Sequence, residues 1–167
     1  ESAAYRSLTP ISPYNEDYHI FQTTKEEGVL RAIRNGLYGA GIPVESTKGE
    51  AAAGQGELNI RYGAPIETAD YHTIAKNAAK EIAAAQGLAI TFMAKWDAAM
   101  AGNSMHVHTS LWDTKSEKNL FAGDEPLPGS SLRASKTFRY WLGGLLAHAR
   151  EIALFLAPTV NSYKRFM

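Results

Sequence analysis

Gly49-Glu50-Ala51-Ala52-Ala53-Gly54-Gln55-Gly56 decides the fold, because its three glycines mark a close backbone turn between two β-prone stretches. Ile42 to Thr47 is short, apolar at its start and interrupted by Pro43. Glu57 to Tyr62 alternates, placing Leu58, Ile60 and Tyr62 on one face. The whole reads as two strands joined by a glycine-rich connection.

Working outward, residues 1 to 23 are turn-rich and read mostly as loop. Thr24 and Glu27 have the spacing of a capping box, and Val29, Leu30, Ile33 and Leu37 follow at helical period until Gly39 and Gly41. A helix is expected over about 25 to 38. Pro65 suits the first turn of a second helix running to about Gln86 and stopped by Gly87, with Ile74, Ala78, Ile82 and Ala85 as its buried stripe and Ala75 and Ala79 beside it. Leu88 to Lys95 is a strand candidate. A turn at Ala101-Gly102-Asn103-Ser104 precedes Met105 to Trp112, which alternates with period two. Residues 113 to 132 read as loop, 133 to 152 as one amphipathic helix, and Thr159 to Arg165 as a polar loop opened by Pro158. Strands and helices without a regular βαβ alternation predict an α+β fold, an antiparallel sheet with helices packed on one face. The two longest predicted helices are expected to cover that face, leaving the other free for chemistry.

Composition narrows the function. The 167 residues carry 17 Lys and Arg against 17 Asp and Glu, so no basic surplus marks a nucleic-acid partner. No apolar run approaches the roughly 20 residues of a membrane span. The absence of cysteine excludes disulfides, thiol nucleophiles and Cys-zinc sites. A metal would therefore be held by His, carboxylate or backbone oxygen. The chain begins at Glu1 without a signal-peptide pattern and reads as an excerpt of a longer cytosolic protein.

Three constellations carry chemistry. Glu50 and Glu57 flank Gly54-Gln55-Gly56, and a turn there would bring both carboxylates into one space, where they repel unless a proton or cation lies between them. Taken alone, the commoner reading of that spacing is two solvated glutamates. In Met105-His106-Val107-His108-Thr109-Ser110, a β period puts His106, His108 and Ser110 on one face and Met105, Val107 and Thr109 toward a core. Two imidazoles and a hydroxyl so arranged suit a metal or phosphates, or an ordinary polar sheet surface. Asn161-Ser162-Tyr163-Lys164-Arg165 can clamp a carboxylate or phosphate, or lie solvated. No GxxxxGK[ST], GxGxxG or GxSxG occurs, so P-loop, Rossmann and hydrolase-elbow readings have no support.

In order, Glu50 with Gly54-Gln55-Gly56-Glu57, then His106-Val107-His108-Thr109-Ser110, then Pro158-Thr159-Val160-Asn161-Ser162-Tyr163-Lys164-Arg165 resemble the glutamine synthetases. The resemblance covers nearly all of the chain, which looks like the central part of that family's catalytic domain, residues 1–167, without its N-terminal domain or C-terminal remainder. It implies an ATP- and Mg2+- or Mn2+-dependent ligase that phosphorylates the γ-carboxylate of glutamate and lets ammonia displace phosphate. By the same resemblance, Glu50 and Glu57 match metal ligands near substrate glutamate and ammonium, and His106 matches a ligand of a second metal. His108, Ser110, Glu45 and Tyr62 match positions around ATP, Gly102 a loop glycine at the amino acid, and Arg165 the arginine on its carboxylate. The family forms its sites between subunits of stacked rings, so a homo-oligomer is implied. Further metal ligands, a flap glutamate and ATP-binding arginines are expected outside these residues.

Two departures concern the acceptor. Family members often carry histidines before the first glutamate, where this chain has Ser46-Thr47-Lys48-Gly49, and an Asn before the loop glycine, where it has Ala101. Glutamine synthesis is the first expectation, a γ-glutamyl-amine ligase for polyamine or ethanolamine the alternative, and an inactive structural member of the superfamily a third.

Overall fold

The structure, a computed structural model, describes residues 8–166. The part of the expected loop that falls on residues 1–7 lies outside them. The element order is α1 (Ile20–Gly39), β1 (Val44–Gly49), β2 (Gly56–Ile60), α2 (Pro65–Ala85), β3 (Glu125–Pro126), β4 (Arg133–Ala134), α3 (Lys136–Ala147), α4 (Ala149–Leu156) and α5 (Val160–Tyr163). The chain divides into two compact units between Asn103 and Ser104.

In the first unit, β1 and β2 form the expected antiparallel hairpin, with Val44 opposite Ile60 and Lys48 opposite Glu57. A β-bulge between Val44 and Ser46 leaves Glu45 as the extra residue. α1 packs on β1 and on α2. Val29, Ile33, Leu37, Ile42, Val44, Ala75, Ala79 and Ala83 make the core, with Leu58 and Ile60 packed against it. Leu37 and Ile42 are fully buried, and such a side chain contributes about 1.5–3 kcal/mol relative to exposure.

Several local expectations are corrected. Thr24 does not cap α1, which starts a turn earlier; its hydroxyl donates back to Ile20 O at 3.0 Å. Glu27 is drawn instead to Arg31 and Arg34 on the same helix. The buried stripe of α2 is Ala75 and Ala79, expected beside it, with Ala83; Ala78 and Ile82 pack against the core half-buried, while Ala85 and Ile74 are exposed. Small side chains win because the helices approach closely: a Cβ on Gly36 of α1 would lie 2.7 Å from Ile82 Cδ1. Tyr62 is 86% exposed and leaves the apolar face that Leu58 and Ile60 share. Leu88–Lys95 belongs to no ladder, since none of the described residues supplies it with a partner strand.

The second unit opens on an irregular segment. Met105 to Leu111 forms no regular element, and Met105 and Val107 are exposed rather than turned to a core. Here too the alternation meets no partner strand, and an isolated bridge pairs Trp112 with Asn119. The loop expected over 113 to 132 contains β3, and Arg133–Ala134, expected to open the next helix, pairs with it as β4 in a short antiparallel hairpin. α3 is N-capped by Ser135, whose Oγ accepts from Phe138 N at 3.1 Å. The single helix expected over 133 to 152 is two, because His148 leaves helical geometry between α3 and α4 and its Nδ1 meets the Glu151 carboxylate. Neither helix has a buried residue among those described, so Phe138, Trp141 and Leu145 are not core positions here. Phe121 meets Phe138 edge-on at 5.2 Å. The polar loop expected after Pro158 contains the short α5, capped by Thr159. No helix among the described residues is long and apolar enough to cross a membrane.

One buried group in the first unit makes stability depend on pH. Glu16 and Glu26 are buried, and neither Glu16 carboxyl oxygen has a hydrogen-bond partner. Burial, then the charge of Glu16, pushes the Glu26 carboxyl up to about 7. The folded state therefore binds more protons than the unfolded state between the ordinary carboxylate range and that value. Stability is full below that window, falls as pH rises through it, and is flat above. Glu26→Gln should stabilise the protein at pH 8 by up to about 3 kcal/mol, with the gain shrinking toward pH 5. Thermal melts of both forms at the two pH values check this; a gain independent of pH would contradict it.

Candidate functional site

The turn between β1 and β2 does what its glycines require. Gly54 has φ +66°, and a Cβ there would come within 3.0 Å of Pro10 Cβ. Gly49 is buried, and a Cβ on it would collide with Glu16 Cβ and lie 2.9 Å from Thr23 Oγ1. The segment before α1 therefore packs directly on the turn, and Glu16 N donates to Glu50 O at 3.2 Å.

Glu50 and Glu57 are brought together, as the spacing suggested, and the charge between them is the ammonium of Lys48. Its Nζ lies 2.7 Å from Glu50 Oε1, 3.4 Å from Glu57 Oε2 and 2.8 Å from Asp17 Oδ1. It also donates to Gly49 O at 3.2 Å and stands 4.9 Å from the centre of the Tyr18 ring. All four charged side chains are 27–31% exposed, so they are screened only in part. The Glu50 carboxyl is held well below the ordinary range, the neighbouring Glu57 side chain being the largest influence, with Lys48 and the Ala51 N–H adding to it and partial burial opposing it. Burial works against the Lys48 charge, but hydrogen bonds to Asp17 and Glu50 and the nearby carboxylates outweigh it and raise its pKa above the ordinary range. An open cleft beside Lys48 is lined by Tyr18, Thr23, Thr24 and Glu27.

Gln55 ties this turn to the loop that holds Gly102. Its side-chain carbonyl accepts from Ala52 N at 3.1 Å, and its amide donates to Gly102 O at 3.2 Å and Asn103 Oδ1 at 2.7 Å. Asn103 is itself fixed, its amide nitrogens bonded to Ala94 O at 2.9 Å and Met93 O at 2.8 Å.

Glu45 is exposed at the bulge, and exposed Tyr62 carries Arg61 over its ring at 5.8 Å. In the second unit, His106 Nε2 lies 3.2 Å from Ser104 Oγ, and Ser110 Oγ accepts from Trp112 Nε1 at 2.9 Å. His108 is exposed, as is Arg165, just beyond α5, whose amide N–H donates to Ser162 O at 3.3 Å. Among the described residues no group of three or more His, Asp or Glu converges as a metal site. What does fit a hard cation is the pair Glu50 and Glu57, two carboxylates already closed on a positive charge.

Sequence reasoning missed Asp17 and the bracing role of Gln55, and noted Lys48 only as a departure. Asp17 carried no signal, lying in a turn-rich stretch remote in sequence. Gln55 could have been found as the one long polar side chain between two glycines of the turn.

Known proteins resemble this chain along nearly its whole length. The family profile described as "Glutamine synthetase, catalytic domain" matches residues 4–167. A γ-glutamylethanolamide synthetase of Streptomyces coelicolor is 44% identical over 98% of this chain and 34% of its own length. A glutamate–isopropylamine ligase of a Pseudomonas species is 37% identical over 96% of this chain and 34% of its own length. A glutamine synthetase of Thermotoga maritima is 37% identical over 90% of this chain and 33% of its own. The solved structure described as "GmaS/ADP complex-Conformation 1" superimposes with a TM-score of 0.78 at 35% identity, covering 96% of this chain and 35% of that one. The chain thus spans about a third of the length of the curated relatives it matches. With its α+β fold and its match from residue 4 to residue 167, the chain belongs to the glutamine synthetase catalytic-domain family.

Proposed function

We propose that the protein containing this chain is an ATP-dependent ligase that joins the γ-carboxyl of glutamate to an amine. The observation that carries the reading is the convergence of Glu50 and Glu57 on one cation at a turn braced by Gln55 against the Gly102 loop. In such a reaction a γ-carboxylate oxygen attacks the terminal phosphorus of ATP and ADP leaves. The amine nitrogen then attacks the acyl carbon, phosphate leaves with that oxygen, and the amine loses a proton.

Within this reading Glu50 and Glu57 hold Mg2+ or Mn2+, which when bound neutralises charge between phosphate and carboxylate. Glu50 is suited to that work because the Lys48 ammonium and the Ala51 N–H favour its ionised form. The Gln55 amide fixes the Gly102 carbonyl, so that the Gly102 backbone can meet the amino acid in one geometry. Arg165 supplies a bidentate partner for the substrate carboxylate. His106 is assigned to a second metal, and His108, Ser110, Glu45 and Tyr62 to the nucleotide. The chain is the central part of the catalytic domain, and a cytoplasmic homo-oligomer of stacked rings completes the site.

Ammonia is the first acceptor read from the sequence. A larger amine is the second, favoured by two observations: the 44% identical relative makes γ-glutamylethanolamide, and Lys48 stands where family members often carry histidine.

Phosphate release from ATP and glutamate should be measured for the full-length protein with ammonia, ethanolamine and putrescine in turn. Release that needs ammonia identifies glutamine synthesis, release only with a larger amine identifies the second reading, and none with any amine refutes a ligase. Glu50→Gln should lower kcat by roughly a hundred-fold or more. Gln55→Ala should raise KM for glutamate about tenfold with little change in KM for ATP; equal changes in both would contradict the bracing role. The isolated 167 residues should be inactive, and amide synthesis by them would overturn the expectation that the site needs more of the protein.

A further inference from the structure

Lys48 is placed oddly for a bystander. It lies on β1 directly opposite Glu57, and its ammonium touches both carboxylates assigned to the metal. Two further contacts, Asp17 Oδ1 at 2.8 Å and the face of Tyr18 at 4.9 Å, come from a different segment. Tyr18 reaches that position through a left-handed backbone, φ +58°, which a tyrosine adopts only when its surroundings impose it. Lys48 thus has two sets of partners: Glu50 and Glu57 on the hairpin, Asp17 and Tyr18 before α1.

We infer that Lys48 is a tethered counter-ion of the metal carboxylates, holding Glu50 and Glu57 convergent until a divalent cation displaces it toward Asp17 and Tyr18. The inference rests on the assignment of Glu50 and Glu57 to a metal. Its physical basis is that a flexible four-carbon stem lets an ammonium exchange partners without moving the backbone. Like charges a few ångströms apart repel strongly in a partly screened site. An ammonium and a divalent ion therefore cannot both stay on the same two carboxylates. A second set of partners makes the exchange inexpensive, because the displaced charge keeps one carboxylate and one ring. Lys48 accordingly acts as a positioning residue that sets how much metal the site needs before it fills.

Mn2+ binding to the full-length protein, followed by electron paramagnetic resonance of the free ion without substrates, tests this apart from activity. Lys48→Met and Lys48→Gln should each bind Mn2+ about tenfold more tightly than the parent, or better. Glu50→Gln should lose that site. Two substitutions of different polarity guard against a folding defect, which would show as loss of the native melt. Unchanged or weaker Mn2+ binding in both Lys48 variants, with the Glu50-dependent site present in the parent, would overturn the inference and leave the metal assignment standing. Absence of any Glu50-dependent Mn2+ site in parent and variants would overturn the metal assignment, and the inference with it.

Discussion

Two carboxylates brought close at a half-buried turn repel one another, and everything around the β1–β2 hairpin is arranged about the positive charge that resolves this. Lys48 supplies it from the strand itself, so the same hairpin that creates the conflict also contains its solution. The consequence spreads outward. Glu50 stays ionised, its backbone carbonyl accepts from Glu16 N, and the segment before α1 is pinned over Gly49. Residues far apart in sequence thereby become one electrostatic unit with a net negative charge.

The support beneath that unit is unusually small in its side chains. α2 turns Ala75, Ala79 and Ala83 toward α1, and Gly36 leaves space for Ile82. Larger residues would hold the helices apart and loosen the grip of Leu37, Ile42 and Val44 beneath the hairpin. Arg34, reaching from α1 to both Glu27 and Thr47 Oγ1, adds a polar tie between helix and strand. The hairpin is thus fixed from below by packing and from the side by hydrogen bonds.

How far this was legible in the sequence depends on whether the signal is local. The hairpin, α1, α2 and their glycine stops follow from period and punctuation, and the structure has them within a few residues. The convergence of Glu50 and Glu57 was readable because one turn joins them. Other features needed the tertiary partner. Thr24 was spaced for a cap, yet the helix gained a turn that no local signal demanded. The stripe of α2 centres on Ala75, Ala79 and Ala83, with Ile82 at its edge, because of the neighbour's closeness. Leu88–Lys95 and Met105–Trp112 have the composition of strands, but a strand exists only with a partner, and alternation cannot say whether one is at hand. His106, His108, Ser110 and Arg165 were singled out by alternation and by the polar run after Pro158, and only the resemblance gave them roles; in their own unit His106, Ser110 and the Arg165 backbone have local partners and His108 is exposed.

The bulge at Glu45 has an effect out of proportion to its size. On the Val44 side of it, partners are matched one residue out of step with those on the Lys48 side. Were Glu45 taken into the ladder rather than bulged out of it, continuing the Val44–Ile60 match would set Lys48 against Gly56 and Glu57 against Thr47. The ammonium would then face a glycine, and the carboxylate a hydroxyl. By standing out of the ladder, a single residue near the strand's beginning therefore works as a vernier, letting an apolar match at one end of the hairpin and a charge match at the other hold together. Loss of Glu45 would leave Lys48 opposite Glu57 in an unbroken ladder, whereas straightening the strand with Glu45 in place would separate the two charges.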